Sequence, residues 1–260
     1  ERKLLHGVVG DILSEFYADN KEDIVVQLAY HYQQAGNEEK ALPYLIRAGH
    51  QARVKFAHDE AVRYYTEALS ILLQDSPERF ELLASRAAVF GIVARRNEQR
   101  ADIERMLDLA EKLADDTLTC DALLALADYN SETKHLDAQQ PGQDALVIAR
   151  KLRDPLREGQ ALRCLGTLEM RKGDNHRSRD RLAAATDIFL DAGASREAAA
   201  CLHQLSITLV RLGEQEPAIE AAKKAVALSR EIGDQQQEAT GARRVAIAYT
   251  VHKQYAEALP

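Results

Sequence analysis

The sequence predicts an all-α solenoid of stacked antiparallel helix hairpins, and three observations carry that reading. The first is a 40-residue register. Aligning Gly173 with Gly213 brings Leu162, Leu165 and Gly166 onto Leu202, Leu205 and Ser206 before the glycine. After it, Leu182, Ala185 and Ile188 fall onto Ala222, Ala225 and Leu228. The second is the apolar spacing inside each half of the unit, which runs in steps of three and four and marks an amphipathic helix. The third is composition. Aromatic residues are 5% with no Trp, and only 6 Pro and 13 Gly occur. A core of Leu, Ala, Ile and Val with few turn residues suits closely packed helices better than a turn-dense sheet.

The register continues in both directions. Forward it reaches a turn at Lys253, with Val245, Ala246 and Tyr249 before it and Ala258 after it. Backward it reaches Thr133, preceded by Ala122, Ala125 and Tyr129. Repeats of this length mean stacked supersecondary units, so about thirteen to fourteen helices, no strands and a right-handed superhelix are expected. Ser76-Pro77 and Asp154-Pro155 place a side-chain acceptor before a first-turn proline, which starts helices. Gly36, Gly173 and Gly213 stand between helices, where a left-handed residue is needed. Ala29, Gly166, Ser206 and Ala246 are the small residues expected where the two helices of a hairpin cross. Gln139-Gln140-Pro141-Gly142 breaks the pattern and predicts a loop or a late helix start near Pro141.

Three regions follow. Residues 1–75 hold N-terminal helices and well-formed hairpins, 76–118 a degenerate helical repeat, and 119–260 the 40-residue units, the last of them truncated. The chain starts at Glu1 without Met and stops inside an expected helix, Tyr255 to Leu259, so it reads as a piece of a longer protein.

Charge and chemistry narrow the function. The formal net charge of -7 argues against broad binding to nucleic acid or anionic membrane, which needs a basic field. The longest apolar run, Ala87 to Ala94, is far short of the roughly 20 residues that span a bilayer. The cysteines Cys120, Cys164 and Cys201 have no metal or redox spacing and read as reduced thiols in a cytoplasmic protein. The sequence has no G-x-x-x-x-G-K-[ST], no G-x-S-x-G and no H-E-x-x-H, and no two His lie at i, i+3 or i, i+4. Asp102, Glu104, Asp108, Glu111, Asp115 and Asp116 read as a solvated helix face. No catalytic residue, metal site or cofactor is expected.

Leu28-Ala29, Tyr32, Gly36, Ala41, Leu45 and Ala48, continued by Ala61, Tyr65 and Ala68, resemble a consensus tetratricopeptide repeat. Leu4-Leu5-His6-Gly7-Val8-Val9-Gly10 followed by Leu28 to Gly36 and Ala41 to Leu45 is similar to the junction after the ATPase module of bacterial STAND/AAA-type signalling ATPases. Some of those are class III adenylate/guanylate cyclase-like regulators. The resemblance implies a non-catalytic, protein-binding regulatory arm. Self-association and the sensing of a small effector are the alternatives.

In such an array the first helix of each hairpin lines the concave side. Ten residues before each turn stand Arg163, His203 and Arg243; two before it stand Arg171 and Arg211, and Arg244 lies beside the column. A basic ladder on an acidic chain is expected to grip an acidic peptide segment by charge-assisted hydrogen bonds, the arginines lacking local partners. At the same phases the first hairpin offers Val26, Tyr30, Gln33 and Gln34; Tyr30 is kept as a candidate contact and Tyr32 is expected to pack inside its hairpin.

Overall fold

The computed structural model describes residues 1–17, 21–133 and 139–251. Among them are thirteen α-helices, one 3-10 turn and no strand. The chain divides into two compact units, residues 1–118 and 119–260. The first holds α1 (Arg2–Phe16), the 3-10 turn Lys21–Ile24, α2 (Val25–Ala35), α3 (Glu38–Val54), α4 (His58–Ile71), α5 (Pro77–Ile92) and α6 (Arg96–Leu113). The second holds most of α7 (Asp116–Glu132), then α8 (Gln140–Leu152), α9 (Pro155–Lys172), α10 (Asn175–Asp191), α11 (Ser195–Leu212), α12 (Gln215–Glu231) and α13 (Gln235–Val251). Each helix of the first unit packs on the next in sequence. In the second unit the same holds from α8 onward, and α11 also touches α9 and α13.

One connector joins most of these helices. A single residue turns left-handed, and the residue after it already opens the next helix. The left-handed residues are Gly36, Phe56, Ala94, Ala114, Arg153, Gly173, Gly193, Gly213 and Gly233. From Arg153 onward they recur every twenty residues, so the two helices of a hairpin are equal in length. Behind each, the next N–H reaches back to the carbonyl five residues earlier. Asp174 donates to Glu169 at 3.0 Å, Glu214 to Leu209 at 2.9 Å and Asp234 to Ser229 at 2.9 Å. This 6→1 bond closes the helix end. At some of these joints the side chain of that second residue also caps the following helix: Asp154 accepts from the Arg157 N–H at 3.0 Å, Asp174 from Arg177 at 3.3 Å and Asp234 from Gln237 at 3.1 Å. Orphan groups of both helices are thus satisfied within two residues.

Among the joints whose residues are all described, the exception is the passage from α4 to α5. Here Ser76 caps α5 ahead of Pro77, and the Arg79 guanidinium donates to the carbonyls of Leu69 and Leu72 at the end of α4. The late start near Pro141 is also present: α8 begins at Gln140 with Pro141 in its first turn. The turn expected at Lys253 and the helix expected from Tyr255 to Leu259 lie outside the described residues.

Same-phase residues share the core. Ala145, Ala185 and Ala225 are fully buried, as are Leu182 and Ala222. Ala29, Gly166 and Ser206 are buried at their crossings, and Tyr32 packs inside its hairpin, stacked on Tyr44 with ring centroids 5.7 Å apart. Ala246 is only partly buried, short of the burial expected for it.

The acidic run of α6 departs from its expected solvated face at one point. Asp102 is 1% exposed and takes a two-pronged ion pair from Arg86 of α5, with bonds of 2.8 and 2.7 Å. Arg86 also donates to Thr66 at 2.9 Å, and Arg105 reaches Asp102 at 3.1 Å. A planar guanidinium matched to both carboxylate oxygens is the geometry in which buried charge is tolerated. Asp115 is likewise used, accepting from the Thr117 and Leu118 N–H groups at the start of α7.

Gly166 shows how close the crossings are. A Cβ added there would meet Leu182 Cγ at 2.9 Å and Arg181 Cβ at 3.3 Å. Gly166→Leu is expected to lower unfolding stability by about 1–3 kcal/mol through overpacking. Urea unfolding measures this, and an unchanged midpoint would place the crossing elsewhere.

Candidate partner-binding face

The candidate face is formed by the first helices of the hairpins in the second unit, α7, α9, α11 and α13. Its cross-links follow from the period. A residue on one first helix touches the residue about one turn earlier in phase on the neighbouring first helix. The 40-residue period less one turn of about 3.6 residues then gives a partner near i+36. Arg157 makes paired bonds of 2.8 Å to Asp121, Arg163 bonds Asp128 at 3.0 Å, and Thr167 bonds Gln204.

Most of the expected basic ladder is therefore already engaged, which corrects the expectation of partnerless arginines. Arg163 is partly buried, and Asp128 holds its charged form firmly. The Cys164 thiol also donates to Asp128 at 3.0 Å. Arg171 donates to the Ser131 carbonyl and Arg211 to the Met170 carbonyl at 2.8 Å. These two arginines occupy the same phase one repeat apart and do the same thing. Each ties its helix to the carbonyl end of the preceding first helix, where the helix dipole favours a cation.

The α11–α13 end differs. His203 is 7% exposed, and neither ring nitrogen has a hydrogen-bond partner. Its ring meets the Cα side of α13: a Cβ added at Gly241 would come within 2.7 Å of His203 Cε1. Gln237 and Arg244 lie on the same face of α13 as Gly241, and Gln237 Oε1 and Arg244 Nε are buried without partners. Burial, and then the neighbouring Arg243, lower the Arg244 pKa. Arg243 itself is exposed, with no carboxylate partner among the described residues. Arg244 likewise has none.

Tyr30 belongs to the first unit. It is 48% exposed, and its ring meets His6 and His31 edge-on at 5.6 and 5.4 Å. The two histidines face each other with Nδ1 atoms 3.0 Å apart. No group of three or more His, Cys, Asp or Glu is placed to hold a metal among the described residues. Nor is any described helix long and apolar enough to cross a membrane.

Sequence reasoning missed three polar contacts. One is the Arg86–Asp102 pair. Another is Glu169, buried in α9 and 2.9 Å from Arg181, its pKa raised by burial. The third is the i+36 rule itself, visible in the sequence as Asp121 to Arg157 and Asp128 to Cys164.

Residues 157–231 match the family model of the tetratricopeptide repeat. The chain is built throughout its described residues from helices packed on their neighbours in the same manner. Solved structures support this over most of its length. One is the regulator Rap of plasmid pLS20 conjugation genes in complex with the Phr* peptide. It shares 14% identity at a TM-score of 0.72, covering 92% of this chain and 72% of that one. A Rap protein complexed with competence and sporulation factor shares 16% at 0.67, covering 89% and 77%. A signal transduction ATPase with numerous domains (STAND) from Pyrococcus horikoshii, with a tetratricopeptide repeat sensor, shares 16% at 0.63 and covers 96% of this chain. This chain spans 38% of the length of that ATPase. Identities this low show the fold alone. No curated protein matches the sequence.

The His203 pKa is lowered from 6.5, first by burial and also by Arg244. The folded state therefore favours the neutral ring, and stability that is complete above pH 6.5 is lost as pH falls below that value. His203→Gln should remove this component. Thermal unfolding of both proteins from neutral to mildly acidic pH should show a shallower decline for the variant; parallel curves would mean that His203 does not titrate in this setting.

Proposed function

We propose that the second unit is a docking arm for an acidic protein segment, working as the regulatory part of a larger signalling protein. The observation that carries this reading is the uncompensated cationic end of the first-helix face. Elsewhere on this face the arginines are matched by Asp121, Asp128 or helix-end carbonyls. At the α11–α13 end, Arg243 and Arg244 are consecutive on α13 without an acid among the described residues, and Arg244 shares the face of α13 that meets the buried His203. A carboxylate matches the fork of donors that a guanidinium presents, and a ligand carrying one would supply the missing counter-charge.

The solved structures support a receptor role. One Rap protein of this fold is held with the Phr* peptide and another with competence and sporulation factor, and in the Pyrococcus ATPase the repeats are named a sensor. A STAND-type ATPase is accordingly the favoured parent, with a cyclase-like output as the alternative. The arm would convert capture of a segment into a change felt by the rest of that protein.

A fluorescein-labelled peptide of alternating Glu and Leu tests the charge requirement. Its affinity should fall at least about tenfold in Arg243→Gln/Arg244→Gln, and the loss should shrink as salt rises. Arg211→Gln, which frees a helix-end carbonyl instead, should lower stability with little effect on affinity. Absence of peptide binding up to about 1 mM, or equal losses in both variants, would contradict the proposal.

A further inference from the structure

The 8 histidines are scattered along the sequence, yet folding brings two of them together. His6 belongs to α1 and His31 to α2, 25 residues apart. Small residues let the two helices approach. A Cβ added at Gly10 would meet the Tyr32 ring at 2.9 Å, and one at Gly7 would lie 3.7 Å from Ala35. This crossing sets the imidazoles against each other, with Nδ1 atoms 3.0 Å apart and ring centroids 5.1 Å apart. Tyr30 packs edge-on to both rings and limits their rotation. Both rings are half-buried, and neither has another hydrogen-bond partner among the described residues. Two neutral ring nitrogens this close repel each other unless a proton or a metal ion stands between them.

We infer that His6 and His31 form a two-imidazole site for a divalent late transition-metal ion, bound through both Nδ1 atoms and linking α1 to α2. The spacing of the nitrogens carries the inference. Metal–imidazole bonds are about 2.05 Å long, so nitrogens 3.0 Å apart subtend an angle of about 94° at a shared ion. That angle fits neighbouring positions of a square-planar or octahedral ion such as Cu²⁺ or Ni²⁺. A tetrahedral Zn²⁺ would need the nitrogens about 3.3 Å apart, a small widening. Imidazole ligates these metals in its neutral form, and burial, followed by the neighbouring His6, lowers the His31 pKa in that direction. No third His, Cys, Asp or Glu joins the pair among the described residues. The remaining positions are therefore left to water or to a donor carried by a partner, which makes the site open and exchangeable. Arg2 and Lys3, one turn back on α1, are exposed, where solvent screens them from the ion. The site uses only the first unit and stands independently of acidic-segment capture by the second.

Calorimetric titration of the 260-residue chain with Cu²⁺, Ni²⁺ and Zn²⁺ in a non-coordinating buffer tests the inference. Saturable binding is expected for each ion, tightest for Cu²⁺. His6→Gln and His31→Gln should each weaken the tightest Cu²⁺ site at least about tenfold while leaving the circular dichroism unchanged. His176→Gln, at a half-buried histidine of α10, should leave that site intact. Electron paramagnetic resonance of the Cu²⁺-loaded parent chain needs no variant, and it should show hyperfine coupling to a pair of imidazole nitrogens. No saturable binding up to about 1 mM would overturn the inference and leave the contact as a hydrogen bond between two rings. So would a loss confined to one of the two variants, an equal loss in His176→Gln, or coupling to a single imidazole.

Discussion

The two-residue connector is the constraint on which the rest of the structure depends. One residue in the left-handed region closes a helix through a 6→1 bond, and its neighbour is the N-cap position of the next helix, with a capping side chain at Asn37, Asp115, Asp154, Asp174 and Asp234. No slack remains between the two. Antiparallel helices joined this tightly must lie side by side along their whole length, and a separation of twenty residues between turns makes them equal. Equal hairpins stack with their phases aligned, so a residue type chosen once per 40 residues lands in the same place in each unit. The buried series Ala145, Ala185 and Ala225 is the result.

The same alignment explains the fate of the basic residues. A strict period brings each arginine near the helix end and the carboxylates of the unit before it, and most of the ladder is spent on joining units. Arg171 and Arg211 bind carbonyls, and Arg157 and Arg163 bind Asp121 and Asp128. The rule lapses in two places. At α13 the carboxylates run out, and Arg243 and Arg244 remain unmatched. At α1 the packing rule is inverted, and the apolar face is offered outward.

The fold was legible because its period was written in glycines. Gly36, Gly173 and Gly213 mark turns in the sequence, and the prolines at positions 77, 141 and 155 mark helix starts. The half-period was harder to read. Phe56, Ala94, Ala114 and Arg153 adopt the same left-handed conformation without the residue that advertises it, because the capping bonds and flanking helices hold them there. Face assignments from charge alone failed where a partner sat on another helix. Asp102 looked solvated because its counter-ion, Arg86, lies sixteen residues away on α5. Arg163 looked free because Asp128 lies 35 residues before it. A column could be placed from periodicity, but the occupancy of each side chain depends on lateral contacts that one helix does not encode.

If the connector governs the fold, the conformation of its first residue should decide stability by sign as well as by size. Gly213 has φ of 79° and Ala114 has φ of 50°, and a side chain in this region costs about 1 kcal/mol relative to glycine. The most direct measurement is paired urea unfolding of Gly213→Ala and Ala114→Gly against the parent chain. The account requires opposite signs, the first variant destabilised and the second stabilised, each by about 0.5–1 kcal/mol. Two changes of the same sign, or none beyond error, would show that packing and not the connector sets the hairpins.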